Sequence, residues 1–310
     1  MPELPEVETI RRQLEPAIAG RVIESVEILD ERWTRPVPPI EVERALAGRR
    51  IEAVGRRGKY LVLHLDGERA LVMHLRMTGN LLLQEPGSSL VADLEESRAM
   101  GGPRLYEAGT ALRHLRASIS LDDGARLLFT DPRRFGQAVL LRAHRLDDYF
   151  AARLGVEPLS EGLTAEEVCR AAFGRRAPLK SFLLNQRGIA GIGNIYADEA
   201  LHRAALHPLS PAGSMKPEDC ERLRDGIVAT LEAGLRSGGA SVDDYRDARG
   251  GRGTMQDEFL VHTREGEPCP RCGAEIRRIV VAGRSTYFCP SCQRRLRRRP
   301  RRRARRRPST

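Results

Sequence analysis

Four cysteines near the C-terminal end constrain the fold of this chain more than any other feature: the pairs Cys269-Pro-Arg-Cys272 and Cys289-Pro-Ser-Cys292, with sixteen residues between them. Each pair sits on a tight turn, and two such turns facing each other present four thiolates tetrahedrally, as a structural Zn²⁺ requires. A site with four protein ligands is closed to substrate and serves folding. The competing use, a pair of disulfides, is disfavoured in a cytosolic chain. Between the pairs, residues 276–281 and 285–288 read as two strands joined at Ala282-Gly283-Arg284, a zinc-ribbon hairpin with Arg284 at its tip. A fingertip arginine suits phosphate or groove contact, although ribbons also serve structural and protein-binding roles. The other two cysteines, Cys169 and Cys220, stand alone in helix-like segments and read as buried small hydrophobes.

The 310 residues exceed one typical domain, and 41% hydrophobic content suffices for two cores and a small module. Residues 3–18 read as a helix. Short apolar runs follow at 21–29, 60–65, 69–75, 117–121, 126–130 and 136–141, the pattern of a β-sandwich. Asp66-Gly67 between two of them signals a hairpin. Residues 84–112 are rich in Gly, Pro and Ser and predict a long surface loop. After Gly155 the pattern becomes helical: Thr164 with Glu167 forms a capping box, and Leu223, Ile227, Leu231 and Leu235 stripe a later helix. The expected fold class is therefore α+β and multidomain, with a sandwich over 1–155, a helical domain over 163–255, a zinc finger over 256–293 and a tail over 294–310.

The net charge of +10 points to a polyanionic partner, but residues 293–310 alone hold eleven Arg and no acid, so the rest of the chain is close to neutral. That tail has no apolar surface to fold around and reads as a disordered polycation. Local clusters remain in the body: Arg49, Arg50, Arg56, Arg57 and Lys59 in one stretch, Arg133 with Arg134 in another. Solvated charge is the plainer reading of each. No stretch reaches the roughly 18 apolar residues of a membrane span. Acidic Glu3, Glu6 and Glu8 stand where a signal peptide needs basic residues, so a cytosolic protein without a membrane partner is expected.

The opening Met1-Pro-Glu-Leu-Pro-Glu-Val-Glu8 resembles the signature of the bacterial formamidopyrimidine-DNA glycosylases. The resemblance recurs in order at Gly55-Arg-Arg-Gly-Lys-Tyr60, His74-Leu-Arg-Met-Thr-Gly79, Asp131-Pro-Arg-Arg-Phe-Gly136, Gly191-Ile-Gly-Asn-Ile-Tyr-Ala197, Gln256-Asp-Glu258 and the zinc module. It implies a β-sandwich flanked by helices, a helix-two-turn-helix domain, a zinc ribbon with one structural Zn²⁺, and a monomer acting on oxidised purines in duplex DNA at the bacterial nucleoid.

The resemblance also implies roles. Once Met1 is removed, the Pro2 amine attacks the sugar C1′ and forms an iminium intermediate, splitting one difficult step into easier ones. An α-amine titrates near pH ~8, and the positive end of the helix beside it favours the neutral, attacking form. Glu3 matches the general acid, Lys59 a phosphate contact and proton donor in β-elimination, and Arg284 the residue linked with δ-elimination. A target inside a duplex must be extruded; Met77 and Phe135 match the wedges that fill the gap and Arg133 the partner of the orphaned base. His74, His114, Arg134, Arg176, Lys180 and Asn194 match phosphate or sugar ligands. The glycines before Asn194 let backbone amides approach phosphate at a helix N-terminus.

Three features depart from the pattern: the length of 84–112, the arginine tail, and Met255 where an aromatic residue is common. Two rivals stay open, an endonuclease VIII-like enzyme acting on oxidised pyrimidines and a catalytically silent DNA-damage-binding relative. Leu4, Met77 and Arg133 speak against the first, intact Pro2, Glu3 and Lys59 against the second.

Overall fold

A computed structural model describes residues 1–87, 114–242 and 244–297. Most of the expected loop over 84–112 and most of the arginine tail lie outside the described residues.

Helix α1 (Leu4–Ile18) starts with proline in its first turn, where a missing N–H costs nothing. Its residues Val7, Ile10, Leu14 and Ile18 recur every three to four positions and are fully buried against the sandwich. Leu4, one turn earlier, belongs instead to the core of the helical domain. The chain's first residues thus sit at the seam between the two cores.

The sandwich has two antiparallel four-stranded sheets. One has the order β1 (Ile23–Ile28), β6 (Leu115–Leu121), β7 (Arg126–Thr130), β5 (Asn80–Gln84); the other β2 (Ile51–Arg57), β3 (Tyr60–Leu65), β4 (Arg69–His74), β8 (Gln137–Arg142). Their facing apolar side chains form one core with α1. Two connections cross between the sheets at the same end: β4 leads through residues 75–79 into β5, and β7 leads through 131–136 into β8. Because β4 pairs with β8 and β5 with β7, these two turns lie side by side.

Strands β2 and β5 escape the reading from sequence. The alternation of β2 ends in Gly55-Arg56-Arg57, whose charge is matched only in three dimensions, and β5 is an apolar run buried on both faces. The Asp66-Gly67 hairpin closes with a three-residue loop, Leu65 pairing with Arg69; Gly67 and Glu68 both take positive φ. Helix α2 (Pro39–Leu46) packs beside β1, and α3 (Leu146–Ala151) ends the sandwich region.

The helical domain holds α4 (Ala165–Ala172), α5 (Leu179–Leu184), α6 (Asn194–Arg203) and α7 (Pro217–Arg236). Thr164 caps α4 by accepting from Glu167 N, and Leu223, Ile227 and Leu231 of α7 are fully buried. The reading of Cys169 and Cys220 as separate apolar cysteines is corrected: they form a disulfide. Packing of α4 across α7 brings together residues 51 apart in sequence, a proximity no local pattern encodes.

In the ribbon, β9 (Arg277–Val281) and β10 (Arg284–Phe288) join through Ala282 and Gly283, both at positive φ, as a two-residue turn following the sheet's twist demands. No helix among the described residues is long and apolar enough to cross a membrane.

Candidate active site

Glu3 is buried at the mouth of α1, and its carboxylate answers a need created far away in sequence. Its Oε2 accepts from Gly193 N at 2.6 Å and its Oε1 from Ile195 N at 3.0 Å, the open amides at the start of α6. A helix N-terminus carries unsatisfied N–H groups and partial positive charge, which an anion satisfies. Here that anion is Glu3, so these amides are occupied from within rather than open to phosphate, correcting the expectation from the glycine motif. A side chain at Gly193 would place its Cβ 2.3 Å from Glu3 Cδ. Gly191, at φ +84°, accepts from Leu4 N through its carbonyl at 3.0 Å. Gln186 holds this loop by accepting from Gly191 N and donating to Ile192 O, both at 2.8 Å.

Beneath Glu3 lies Glu6, which accepts from Glu3 N, Tyr196 Oη and Ala240 N. Burial, and next the neighbouring Glu3 charge, raise its pKa above the usual carboxylate range. Lys59 sits in the β2–β3 turn, only 5% exposed. Burial lowers its pKa; the negative charges of Glu3 and Glu6 oppose that, and the positive charge of Arg284 adds to it. An ammonium so placed gives up its proton more readily than a surface lysine.

Glu3 and Lys59 line a cavity of about 380 Å³ together with Met1, His74, Arg76, Met77, Asn194, Tyr245, His262 and Arg284. Met1 lines the cavity, and Pro2, which follows it, is buried. Arg284 reaches the cavity from the tip of the ribbon hairpin. His74 accepts from Arg76 N through Nδ1 at 3.0 Å, and burial, then Arg76 and Lys59, lower its pKa to about 3, so the ring is neutral near pH 7.

Of the expected gap fillers, Met77 lines the cavity half-buried, whereas Phe135 is 49% exposed with the Arg133 guanidinium 4.8 Å from its ring centroid. Neither is a core residue. Arg134, at positive φ, makes a two-pronged contact with buried Asp30, at 2.5 and 2.9 Å. His114 borders this turn, its carbonyl accepting from Asp131 N. Arg176 is exposed between α4 and α5, away from the cavity lining.

Asn194 donates to Ser285 O at 3.0 Å and ties the ribbon to α6. Lys180 departs from expectation: its side chain is wholly buried, donating to Asp198 Oδ1 at 2.7 Å and to Asn194 O at 2.6 Å, and offers nothing to an external phosphate in this structure. Asp198 also bonds His262 Nδ1 at 2.8 Å. The basic cluster at the β2 end is largely neutralised, Arg56 pairing with Glu8 and Glu157, and Arg57 with Glu157. Glu6, Gln186, Asp198 and His262 escaped the reading from sequence because nothing local distinguishes them.

The four ribbon cysteines fit zinc. Their sulfurs all lie within 4.8 Å of one another, with Cys272 to Cys289 at 3.5 Å and Cys269 to Cys292 at 3.9 Å. A tetrahedron of Zn–S bonds near 2.3 Å puts its sulfurs roughly 3.8 Å apart. His202 Nε2 lies 3.3 Å from Cys269 Sγ, and Cys292 N donates to Cys289 Sγ. Outer contacts of this kind orient metal ligands.

The chain resembles known proteins in both sequence and fold. It matches the models for the formamidopyrimidine-DNA glycosylase N-terminal domain over residues 1–138, the formamidopyrimidine-DNA glycosylase H2TH domain over 154–246, and the zinc finger found in FPG and IleRS over 266–295. It is 46% identical to the formamidopyrimidine-DNA glycosylase of Chloroflexus aurantiacus over 299 residues, covering 94% of this chain and 98% of that one. With the protein of that name from Roseiflexus it shares 45% over 297 residues, covering 95% and 100%. Among solved structures it resembles a Lactococcus lactis FPG mutant bound to DNA containing Fapy-dG, at TM-score 0.82 and 34% identity, covering 95% of this chain and all of that one. It also resembles the Lactococcus lactis Fpg complex with DNA containing an abasic site, at TM-score 0.81 and 33% identity, covering 94% and 100%. The chain belongs to the formamidopyrimidine-DNA glycosylase family, and its four ribbon cysteines form a structural zinc site.

Proposed function

We infer that this protein is a bifunctional DNA glycosylase and abasic-site lyase that removes 8-oxoguanine and formamidopyrimidines from duplex DNA in base excision repair. The observation that carries the reading is the convergence on one cavity of the chain's first residues, the buried Glu3 and Lys59, and Arg284 from a separate module. A cavity of about 380 Å³ has room for one extruded base.

Chemistry follows from these groups. With Met1 gone, the Pro2 nitrogen attacks C1′ of the extruded nucleotide. Glu3, beside it, takes up the proton that the attacking amine releases and delivers it to the sugar, so that the ring opens and the base leaves. Lys59, with its lowered pKa, serves proton transfer in β-elimination at phosphate contact, and Arg284 supports δ-elimination. His74, being neutral, accepts or donates a hydrogen bond to the backbone without adding charge. Asn194, Arg134, Arg176 and His114 hold flanking phosphates, Arg134 by exchanging Asp30 for phosphate; Lys180 acts from within by fixing the Asn194 carbonyl. Met77 and Phe135 fill the gap and Arg133 meets the orphaned base. Sandwich, helical domain and ribbon divide near 155–163 and 256, and the protein works as a monomer on chromosomal DNA in the bacterial cytoplasm.

The test compares nicking of duplexes carrying 8-oxoguanine, thymine glycol or no lesion. Preferential cleavage at 8-oxoguanine is expected. Preference for thymine glycol would assign the pyrimidine-lesion activity instead, and tight binding without cleavage a damage-binding role.

A further inference from the structure

The two turns that carry Met77 and Arg133 with Phe135 are joined through one carboxylate. Asp131, wholly buried, accepts from Phe135 N at 2.8 Å and Gly136 N at 2.7 Å through Oδ2, and from Arg133 N at 3.2 Å through Oδ1. Those bonds shape the second turn. The same Oδ1 accepts from Thr78 Oγ1, the residue after Met77, at 2.5 Å. Thr78 Oγ1 in turn accepts from Arg133 N at 3.3 Å. The hydroxyl therefore bridges the turns, linking the residue beside Met77 to the backbone of the turn that carries Phe135.

A shared floor reinforces the bridge. A Cβ on Gly79 would stand 3.0 Å from the ring of Phe129, and one on Gly136 would stand 2.3 Å from it. Both turns lie directly on that ring, so neither can slide without disturbing the same side chain. Sheet topology adds the last constraint, since the strands flanking one turn pair with the strands flanking the other.

We propose that Thr78 and Asp131 are positioning residues that make the Met77 turn and the Arg133–Phe135 turn a single rigid wedge, so that both enter the duplex together when a nucleotide is extruded. The inference rests on the glycosylase reading given above. Extruding a base costs stacking and pairing energy. Two independently mobile wedges would each lose freedom on insertion; a preassembled unit has met that cost in folding. The energetic consequence is coupling: removing one wedge disables much of what the other contributes.

A double-mutant cycle of Met77→Ala and Phe135→Ala tests this, read by single-turnover excision of 8-oxoguanine from duplex DNA. The two losses should fall short of multiplying by about tenfold, the mark of residues acting as a unit. Thr78→Val keeps the side chain's size but removes the donor. In that background the two losses should multiply, and Thr78→Ser should restore the coupling. Thr78→Ala, which opens space instead of filling it, should uncouple the wedges like Thr78→Val. Losses that multiply in the wild-type background, or coupling that survives both Thr78→Val and Thr78→Ala, would overturn the proposal. Wild-type protein that leaves 8-oxoguanine duplexes intact would instead overturn the functional reading beneath it.

Discussion

Glu3 Oε2 accepts from Gly193 N at 2.6 Å across 190 residues of sequence. This bond fixes the proposed general acid against the start of α6, and its geometry depends on there being no side chain at Gly193. Alanine there would put its Cβ 2.3 Å from Glu3 Cδ and force the carboxylate aside. Gly193→Ala should lower kcat for lesion cleavage about 100-fold, the scale on which small misplacements act. Steady-state kinetics on an 8-oxoguanine duplex checks it, and a value within twofold of wild type would show that Glu3 is not positioned through this contact.

Lys180 and Asp198 form an ion pair with no exposed side-chain surface, so removing the lysine leaves the buried carboxylate with only its hydrogen bond to His262. Lys180→Met should destabilise the protein by about 3–5 kcal/mol in urea unfolding. Adding Asp198→Asn should recover part of the loss, because the stranded carboxylate is gone. A variant as stable as wild type would argue against the pair as a fixture of the domain.

His74 links stability to pH in a defined direction. Its folded pKa, about 3, lies below the unfolded value near ~6.5, so between those values the unfolded chain binds more protons and stability rises with pH. This contribution is present above ~6.5 and is lost as pH falls toward 3. His74→Gln cannot take the proton, and its unfolding free energy between pH 4 and 6 should have a slope shallower by about one proton. Parallel curves for variant and wild type would contradict the burial of a neutral ring.

The zinc ribbon reaches the helical domain through the bond of Asn194 to Ser285 O and that of Gln293 to Leu206 O. Stripping the metal should release the hairpin that carries Arg284. DNA affinity should fall about tenfold or more, the worth of hydrogen bonds to charged groups, before the sandwich unfolds. Chelator titration followed by gel shift and circular dichroism separates the two events; simultaneous loss of both signals would mean that the ribbon is not an independent module.

The metal site was legible because four cysteines at fixed spacing have few other uses, and α1 because its apolar stripe is regular. The catalytic candidates were legible only through motif resemblance, since a Met-Pro start and an exposed-looking Glu3 carry no periodic signal. Contacts across the seam were not legible. Lys180 stands among basic and apolar residues like a surface cation, and its burial follows from Asp198 on a different helix. Cys169 and Cys220 look unrelated until α4 packs on α7. Thr78 and Asp131 sit in family motifs, yet the bond between them exists because two crossovers lie side by side. Sequence pattern speaks to what each segment buries; it is silent on which buried polar groups will meet.

Pro2 is the proposed nucleophile, freed when Met1 is removed. Borohydride reduction during reaction with an 8-oxoguanine duplex should convert the iminium into a stable amine, yielding a covalent protein–DNA adduct that peptide mass spectrometry locates at Pro2. Pro2→Gly retains an N-terminal amine and should keep some trapping, whereas a protein with an uncut, extended N-terminus should give none. An adduct elsewhere in the chain, or undiminished trapping by the extended protein, would rule out Pro2 as the nucleophile.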